Sequence, residues 1–172
     1  MILEEGDVLL RPLSIKDTDF LLGIRNDLEF ADEFFSDPPT YDFAHNSWLQ
    51  SAAKNNIELI IEFKSERAGQ IRLTDIDYRH QKAQFGIMIA RSFQGKGIAF
   101  DSSRIFFEYV FRNLPINKIY LELFANNSPA MRLYEKLGFV EEGRFRQEYY
   151  KRGEFMDTTR MSILREEWGR TR

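Results

Sequence analysis

Gln94-Gly95-Lys96-Gly97-Ile98-Ala99 is the stretch that decides how this chain folds around a ligand. The residues before it, Ala83–Ala90, alternate as a strand does, and the apolar spacing of Ile98–Asn113 predicts a helix. Glycines at a strand-to-helix turn let the backbone approach a ligand closely. The first turn of the helix adds unpaired amides at the positive end of its dipole. This combination favours phosphate or pyrophosphate binding, and a plain tight turn is the alternative.

Strands and helices are predicted on both sides of this loop. The predicted strands are Val8–Leu13, Ile57–Phe63, Ala68–Ile76, Ala83–Ala90, Lys118–Phe124, Glu142–Tyr150 and Glu154–Leu164. The predicted helices are Asp17–Asp27, Asp42–Asn55, Ile98–Asn113, and one with Ser128 as N-cap and Gly138 just after its C-cap. This order predicts a single domain over residues 1–172, of the α+β (or α/β) class, with a mixed sheet flanked by helices.

Composition argues against several classes of function. The formal net charge is −3, so attraction of the whole surface to nucleic acid is not expected. The chain has no cysteine, which removes disulfides, thiol nucleophiles and Cys-ligated zinc, and its two histidines lack metal-ligand spacing. No stretch approaches the roughly 18 apolar residues of a membrane span, and the first residues do not resemble a signal peptide. We therefore expect a cytoplasmic protein with no metal, membrane or nucleic-acid partner.

Two segments match one known family in order and separation. Gln94-x-x-Gly97-x-Ala99 and Asn127-x-x-Ala130-x-x-x-Tyr134-x-x-x-Gly138-Phe139 together resemble the motifs of the GNAT N-acetyltransferase superfamily. The chain is similar to the branch that holds spermidine, amino-sugar and ribosomal-protein alanine N-acetyltransferases. The resemblance implies the GNAT fold, with a mixed, mostly antiparallel central sheet. It also implies transfer of acetyl from acetyl-CoA, as co-substrate, to a primary amine by direct attack.

The resemblance implies a coenzyme site around the glycine loop. The residues expected to hold the CoA pyrophosphate are Gln94, Gly95, Lys96, Gly97, Ile98 and Ala99. Lys96 either adds charge there or is a solvated loop lysine. The pantetheine arm is expected to pair with the backbone around Ile87, Met88 and Ile89, where one amide would stabilise the oxyanion. Asn127 matches the family residue that hydrogen-bonds the CoA arm, whereas an ordinary capping or turn asparagine is the alternative.

Tyr134 matches the general acid of the family. The departing CoA thiolate must be protonated or stabilised, and a phenol with an ordinary pKa near 10 can donate a proton. The alternative is a core tyrosine, because Tyr134 belongs to the apolar stripe of its predicted helix.

The base that deprotonates the amine is not evident from the sequence. An amine with a pKa near 10.4 costs roughly 4–5 kcal/mol to deprotonate at pH 7. Relatives often place a glutamate on the strand before the loop, but Gln84 stands at that position here and glutamine is not a base. Proton loss through water, or a carboxylate elsewhere such as Glu33 or Glu122, stays open.

An acidic and aromatic segment, residues 26–53, is the clue to the acceptor. It contains no Lys or Arg, and its acidic and aromatic side chains are Asp27, Glu29, Asp32, Glu33, Asp37, Asp42, Phe30, Phe34, Phe35, Tyr41, Phe43 and Trp48. Such groups suit a polycation, so a polyamine (spermidine or spermine) bound by Glu33, Asp37 and Phe35 is the first acceptor predicted. Solvated acids and core aromatics are the alternative.

Other substrates and one other class of function stay open. Arg25-Asn26 resembles the amino-sugar and alanine acetyltransferases, so an amino sugar or a protein N-terminus is the alternative acceptor. Because Gln84 replaces the expected glutamate, a non-catalytic acyl-CoA-binding domain is the rival of another class. A homo-oligomer is expected by the resemblance, with Trp48 and Trp168 as candidates for its interface.

Overall fold

The structure of the chain, a computed structural model, describes residues 1–28, 30, 33 and 35–170, without the side chains of residues 51–54. Three members of the acidic and aromatic segment, Glu29, Asp32 and Phe34, lie outside the described residues. The strands are β1 (Leu3–Glu5), β2 (Val8–Pro12), β3 (Ile57–Phe63), β4 (Glu66–Asp77), β5 (Lys82–Ile89), β6 (Lys118–Phe124), β7 (Val140–Lys151) and β8 (Glu154–Leu164). The helices are α1 (Thr18–Arg25), α2 (Asp42–Asn55), α3 (Ile98–Asn113), α4 (Ser128–Lys136) and α5 (Arg165–Arg170).

The strands form one sheet in the order β1-β2-β3-β4-β5-β6-β8-β7. Within the described residues, every neighbouring pair is antiparallel except β5 and β6, which are parallel because α3 crosses over between them. The predicted mixed, mostly antiparallel sheet flanked by helices is therefore confirmed.

The parallel pair is short, and this shapes the centre of the sheet. Only Lys82–Gln84 of β5 pair with Lys118–Tyr120 of β6. Beyond Gln84 the two strands part, although β5 stays paired with β4 as far as Ile89. One edge of the second half of β5 is consequently left without a neighbouring strand in the middle of the sheet.

Each face of the sheet buries its own apolar cluster. The larger cluster packs α3, α4 and α5 against one face, with Phe106 and Phe107 of α3 fully buried. The smaller cluster packs α1 against the other face, where Leu21 and Ile24 meet Ile60 and Met88. Burial of this kind is the main driving force for the fold, at roughly 25 cal/mol per Å² of apolar surface.

Most predicted elements are found where the sequence places them. The predicted bounds of α2, α3, β3, β6 and β8 coincide with the structure, whereas β1 was missed because three residues are too short to show a period. The predicted N-cap of α4 is wrong. Asn127, not Ser128, caps this helix, and its side-chain oxygen accepts a hydrogen bond from the Ala130 amide at 3.2 Å. Gly138 does follow the helix with φ 93°, as predicted.

The C-terminal helix α5 closes the larger core. Trp168 is only 8% exposed and packs edge-on against Phe107. The prediction that it lines an oligomer interface is therefore wrong. Arg165 donates to the carbonyl of Leu114 at 2.7 Å and also to those of Phe111 and Ile116. Phe111 lies in the last turn of α3, where backbone carbonyls lack partners within the helix, so these bonds connect α5 to the end of α3.

We predict that Arg165→Met lowers the free energy of unfolding by about 3 kcal/mol, because it removes charge-assisted hydrogen bonds to backbone carbonyls. Arg170→Met is the matched control, since Arg170 is an exposed arginine of the same helix whose ion pair, among the described residues, is with Glu166. Urea titrations of both variants measure the difference. Equal losses in the two variants would contradict this role of Arg165.

Candidate active site

A cavity of about 790 Å³ lies where β5 and β6 part. It brings together most of the residues predicted from the sequence: Glu33, Phe35, Ile87, Met88, Ile89, Gln94, Gly95, Gly97, Ile98, Ala99, Asn127 and Tyr134. Two predicted residues do not line it. The Lys96 ammonium lies 5.1 Å from the centre of the Phe93 ring, and Asp37 pairs with Lys151 at 3.3 Å.

The backbone of β5 turns alternate residues toward this cavity. The Ala90 amide donates to the Ala68 carbonyl at 2.8 Å, so Ala90 faces β4. Because backbone groups alternate along a strand, Met88 also faces β4, and a Cβ built on Gly69 would lie 2.1 Å from the Met88 carbonyl oxygen. The expectation that the Met88 amide is exposed is therefore wrong. The amides that face the gap are those of Ile87 and Ile89.

The glycine loop has the conformation that an anion site needs. Gly95 and Gly97 have φ values of 73° and 80°, in the left-handed region that favours glycine. Gly97 is the N-cap of α3 and provides no side-chain bond to the first turn, so that turn keeps its amides for a ligand. The Gln94 side chain holds the loop against β5 by donating to the Ile89 carbonyl at 3.2 Å.

Asn127 both caps α4 and lines the cavity. Its carboxamide oxygen is taken by the Ala130 amide, which leaves the NH2 group as the donor for a ligand. The two alternatives that the sequence left open for this residue are thus compatible with each other.

Tyr134 is likewise both a core residue and a cavity residue. Its side chain is 8% exposed, and its ring meets that of Phe85 edge-on at 6.3 Å and that of Phe139 at 5.7 Å. Burial raises the pKa of the phenol above its ordinary value of 10. Tyr134 therefore stays neutral at physiological pH, and its hydroxyl keeps the proton that it would donate.

Polar side chains form the floor of the cavity on the α1 face of the sheet. Gln84 lies opposite Tyr120 where β5 and β6 are still paired, and Glu122 is two residues further along β6. The Arg160 Nε donates to Glu122 Oε1 at 3.0 Å, and its terminal nitrogen donates to the same oxygen. This places a carboxylate in the floor next to the point where the strands part.

Two arginines in the cavity wall were missed as site residues by sequence reasoning. Arg25 ends α1 and Arg72 belongs to β4, and both line the cavity. Arg72 passes over Gly86, where an added Cβ would lie 2.8 Å from the Arg72 Nε. The pairing of Arg72 with Gly86 shows only in the sheet register, so the sequence offers no signal for it.

Glu58 of β3 lies opposite Arg72 in the same sheet. Its carboxylate accepts hydrogen bonds from Gln70 at 2.9 Å and Asn56 at 3.3 Å. Burial raises the pKa of Glu58 to about 7, and the nearby Arg72 and Arg25 oppose this effect only in part. The carboxyl is consequently only partly ionised at neutral pH.

Two other features are absent from the part of the chain that the structure describes. No helix there is long and apolar enough to cross a membrane. The same residues contain no group of three or more His, Asp or Glu side chains arranged to hold a metal ion.

Comparison with known proteins gives consistent matches along the chain. A family model described as an acetyltransferase (GNAT) domain matches residues 7–140. The spermidine N(1)-acetyltransferase of Escherichia coli (strain K12) is 30% identical over 165 residues, which cover 94% of this chain and 88% of that protein. The corresponding enzyme of Vibrio cholerae serotype O1 is 31% identical over 167 residues, which cover 95% and 96%.

A solved structure and a second type of relative extend these matches. The crystal structure of spermidine N-acetyltransferase from Vibrio cholerae in complex with CoA and spermine has a TM-score of 0.90 to this chain at 29% identity, covering 95% of this chain and 99% of that one. A putative ribosomal N-acetyltransferase of Bacillus subtilis is 33% identical over 119 residues, which cover 69% of this chain and 65% of that protein.

We predict that the Glu58 carboxyl makes stability fall as pH rises. Its folded pKa of about 7 exceeds the ordinary value of 4.5. Its contribution is therefore fully present below pH 4.5, is lost as pH rises through about 7, and amounts to about 3 kcal/mol. His45, whose pKa is lowered by burial and by Arg25, acts in the opposite direction as pH falls, so the wild type alone does not isolate Glu58.

The measurement is urea unfolding of the wild type and Glu58→Gln at several values between pH 4.5 and 8. The free energy of unfolding of the wild type minus that of the variant should fall by about 3 kcal/mol across this range. His45 contributes equally to both proteins and cancels in this difference. A difference that does not change with pH would refute the buried, partly ionised Glu58.

Proposed function

The chain belongs to the GNAT acetyltransferase family, and we propose that it transfers the acetyl group of acetyl-CoA to a primary amine of a small molecule by direct attack. The observation that carries this proposal is the single cavity that joins the open edge of β5, the glycine loop and Tyr134. These are the three groups that the reaction needs: donors for the acyl carbonyl, a cradle for the pyrophosphate, and a proton donor for the leaving thiolate.

The coenzyme is proposed to lie along the gap between β5 and β6. The amides of Gly95 to Ala99 bind the pyrophosphate, and the exposed backbone groups of Ile87 and Ile89 pair with the pantetheine arm as a neighbouring strand would. The Asn127 NH2 group supplies a further donor to the arm. This arrangement sets the thioester between β5 and α4, within the same cavity as Tyr134.

The reaction follows from this placement. The neutral amine attacks the thioester carbonyl, and the amide of Ile87 or Ile89 donates a hydrogen bond to the oxyanion that forms. The intermediate then collapses, the carbon–sulfur bond breaks, and the sulfur takes a proton from the Tyr134 hydroxyl. The amine nitrogen loses one proton in forming the amide, and one proton returns through solvent to the Tyr134 oxygen. The products are therefore an N-acetyl amine and CoA with its thiol, and Tyr134 is neutral again.

Glu122 is the residue that best fits as acceptor of the proton that leaves the amine. It faces the cavity where the strands part, and Arg160 bonds only to its Oε1, so within the described residues its Oε2 is left to accept a proton directly or through water. Glu33 and a path through water alone are the other routes that the sequence left open.

A polyamine is the acceptor that the sequence predicts, and similarity to spermidine N-acetyltransferases supports it. Glu33 and Phe35 in the cavity wall also support it, since a carboxylate and an aromatic ring suit an alkylammonium. Arg25 and Arg72 oppose it, because they add positive charge to the same wall. A cytoplasmic location and a homo-oligomeric assembly remain predictions.

The first experiment is CoA release from acetyl-CoA with spermidine, spermine, amino sugars, an alanine-starting peptide and no acceptor. Acceptor-dependent release at several times the background rate is expected with at least one amine. Tight acetyl-CoA binding by calorimetry without release for any amine would favour the non-catalytic acyl-CoA-binding domain instead.

We predict that Tyr134→Phe lowers kcat at least tenfold and changes the Kd for CoA less than twofold, because only the proton donor is lost. Tyr109→Phe is the control, since Tyr109 lies on α3 outside the cavity lining. Stopped assays and calorimetry measure the two quantities. Full activity of Tyr134→Phe would remove this residue from the mechanism.

We also predict that Glu122→Gln lowers the rate at pH 7 at least tenfold, and that the loss shrinks as pH approaches the amine pKa of about 10.4. At high pH the amine is already neutral and needs no base. Glu33→Gln is the comparison variant, and its kcat at saturating amine is expected within threefold of the wild type, because a group that only binds the acceptor affects KM instead. A larger loss of rate in Glu33→Gln than in Glu122→Gln would make Glu33 the base. Small losses of rate in both variants would favour proton loss through water alone.

A further inference from the structure

The charge of the cavity wall identifies a second feature of the acceptor. We propose that the acceptor amine carries an anionic group, a carboxylate or a phosphate, and that Arg25 and Arg72 bind this group. The inference rests on the proposed function, because it assigns the acceptor of the same reaction.

Arg25 and Arg72 line the cavity without partners of their own. Within the described residues, neither guanidinium makes a hydrogen bond or an ion pair. The Arg25 Nε is buried with no partner, and the Arg25 guanidinium lies 5.6 Å from the centre of the Trp48 ring. A buried cation without hydrogen bonds is costly. An anionic ligand in the cavity would supply the missing acceptors, and the guanidinium fork suits both carboxylate and phosphate.

The positive charges of the two arginines also repel each other, which favours binding of an anion between them or beside them. The pKa of Arg25 is lowered to about 10, first by burial and then by the positive charge of Arg72. A shift in this direction means that the protein around Arg25 disfavours its charge. Both side chains nevertheless remain cationic at neutral pH, so the wall keeps two positive charges.

The nearby carboxylates that the structure describes neutralise this pair only in part. Glu58 interacts with both arginines only through space, and its pKa of about 7 leaves it partly protonated at neutral pH. Glu122 is engaged by Arg160, and Glu33 has an interaction of its own. The charge of Arg25 and Arg72 is therefore available to a ligand.

Arg72 is placed where an acceptor must come. It crosses Gly86, directly before Ile87, whose amide faces the gap proposed for the thioester. An amine that attacks at this point and carries an anion a few bonds away reaches both the thioester and the arginine. A residue with a Cβ at position 86 would occupy the space through which Arg72 passes.

Among the residues of the segment 26–53 that the structure describes, the acids other than Glu33 lie outside the cavity lining. Asp37 pairs with Lys151, and Asp27 lies 3.6 Å from Arg91. Among the carboxylates of that segment that the structure describes, Glu33 is the one that lines the cavity. A polyamine would thus bring ammonium groups toward two arginines, and like charges in a partly buried site repel each other strongly.

The test compares amines that differ only in the anion. Glucosamine is paired with glucosamine 6-phosphate, alaninamide is paired with alanine, and spermidine represents the polycation. We expect kcat/KM to be at least tenfold higher for the anionic member of one pair than for its neutral partner. The pair that shows this preference distinguishes a phosphate from a carboxylate.

Variants then locate the preference in the cavity wall. Arg25→Met and Arg72→Met should each raise KM for the preferred anionic member at least tenfold and remove most of its advantage in kcat/KM over the neutral partner. Arg72→Lys should recover part of the loss, because it restores the charge without the fork. Arg104→Met is the matched control, since Arg104 pairs with Glu5 on the exposed side of α3, outside the cavity.

A second readout does not need turnover. Calorimetry of the same compounds with the CoA-bound protein should show binding of an anionic amine that weakens at least tenfold in Arg72→Met. If no amine is acetylated but this binding is present, the proposed function fails and the anion site stands. Faster turnover of spermidine than of every anionic amine would overturn the inference. Equal binding of the members of each pair, or binding of none, would also overturn it.

Discussion

The unpaired edge of β5 is the constraint on which the rest of the structure depends. Backbone amides and carbonyls in the interior of a protein must find partners, but β6 leaves β5 after Gln84. The Ile89 carbonyl accepts a hydrogen bond from the Gln94 side chain, and the remaining groups of this edge are left to water or to a ligand. The same divergence opens the cavity and directs the chain from Ile89 into the glycine loop and α3. Strand edge and helix N-terminus then present donors to one space, which is why a long, acylated and pyrophosphate-bearing coenzyme suits it.

The two faces of the sheet differ in what they contribute: one provides most of the apolar core, and the other carries the polar side chains of the cavity. The face that carries α3 buries a large apolar cluster and is completed by α5, with Trp168 packed against Phe107. The opposite face has a smaller apolar cluster and a floor of charged and amide side chains. Half-buried charges such as Arg25 and Glu58 oppose folding. The free energy that these charges cost is offset because the other face supplies most of the apolar burial.

Some residues both stabilise the fold and line the cavity, so an interpretation that assigns them only one of these roles fails. Tyr134 is packed between aromatic rings and yet opens into the cavity, and Asn127 caps a helix with one end of its amide while the other end remains a donor. Packing holds these side chains in one orientation, which a proton donor and a coenzyme contact both require. In this chain the alternatives of core residue and site residue are not exclusive.

Local patterns were enough to predict much of the fold and of the coenzyme site. Helical spacing located α2 and α3, alternation located β3 and β8, and glycine, proline and capping residues located the loop and α4, because these signals act between near neighbours in the chain. The sequence by itself thus determined the elements, the glycine loop and the motif around Tyr134. Only the tertiary structure decided that Met88 faces β4, that Arg72 crosses Gly86, and that Glu58 lies close enough to Arg25 and Arg72 to interact with both. These facts depend on sheet register and on contacts between residues far apart in the chain, which no local pattern encodes.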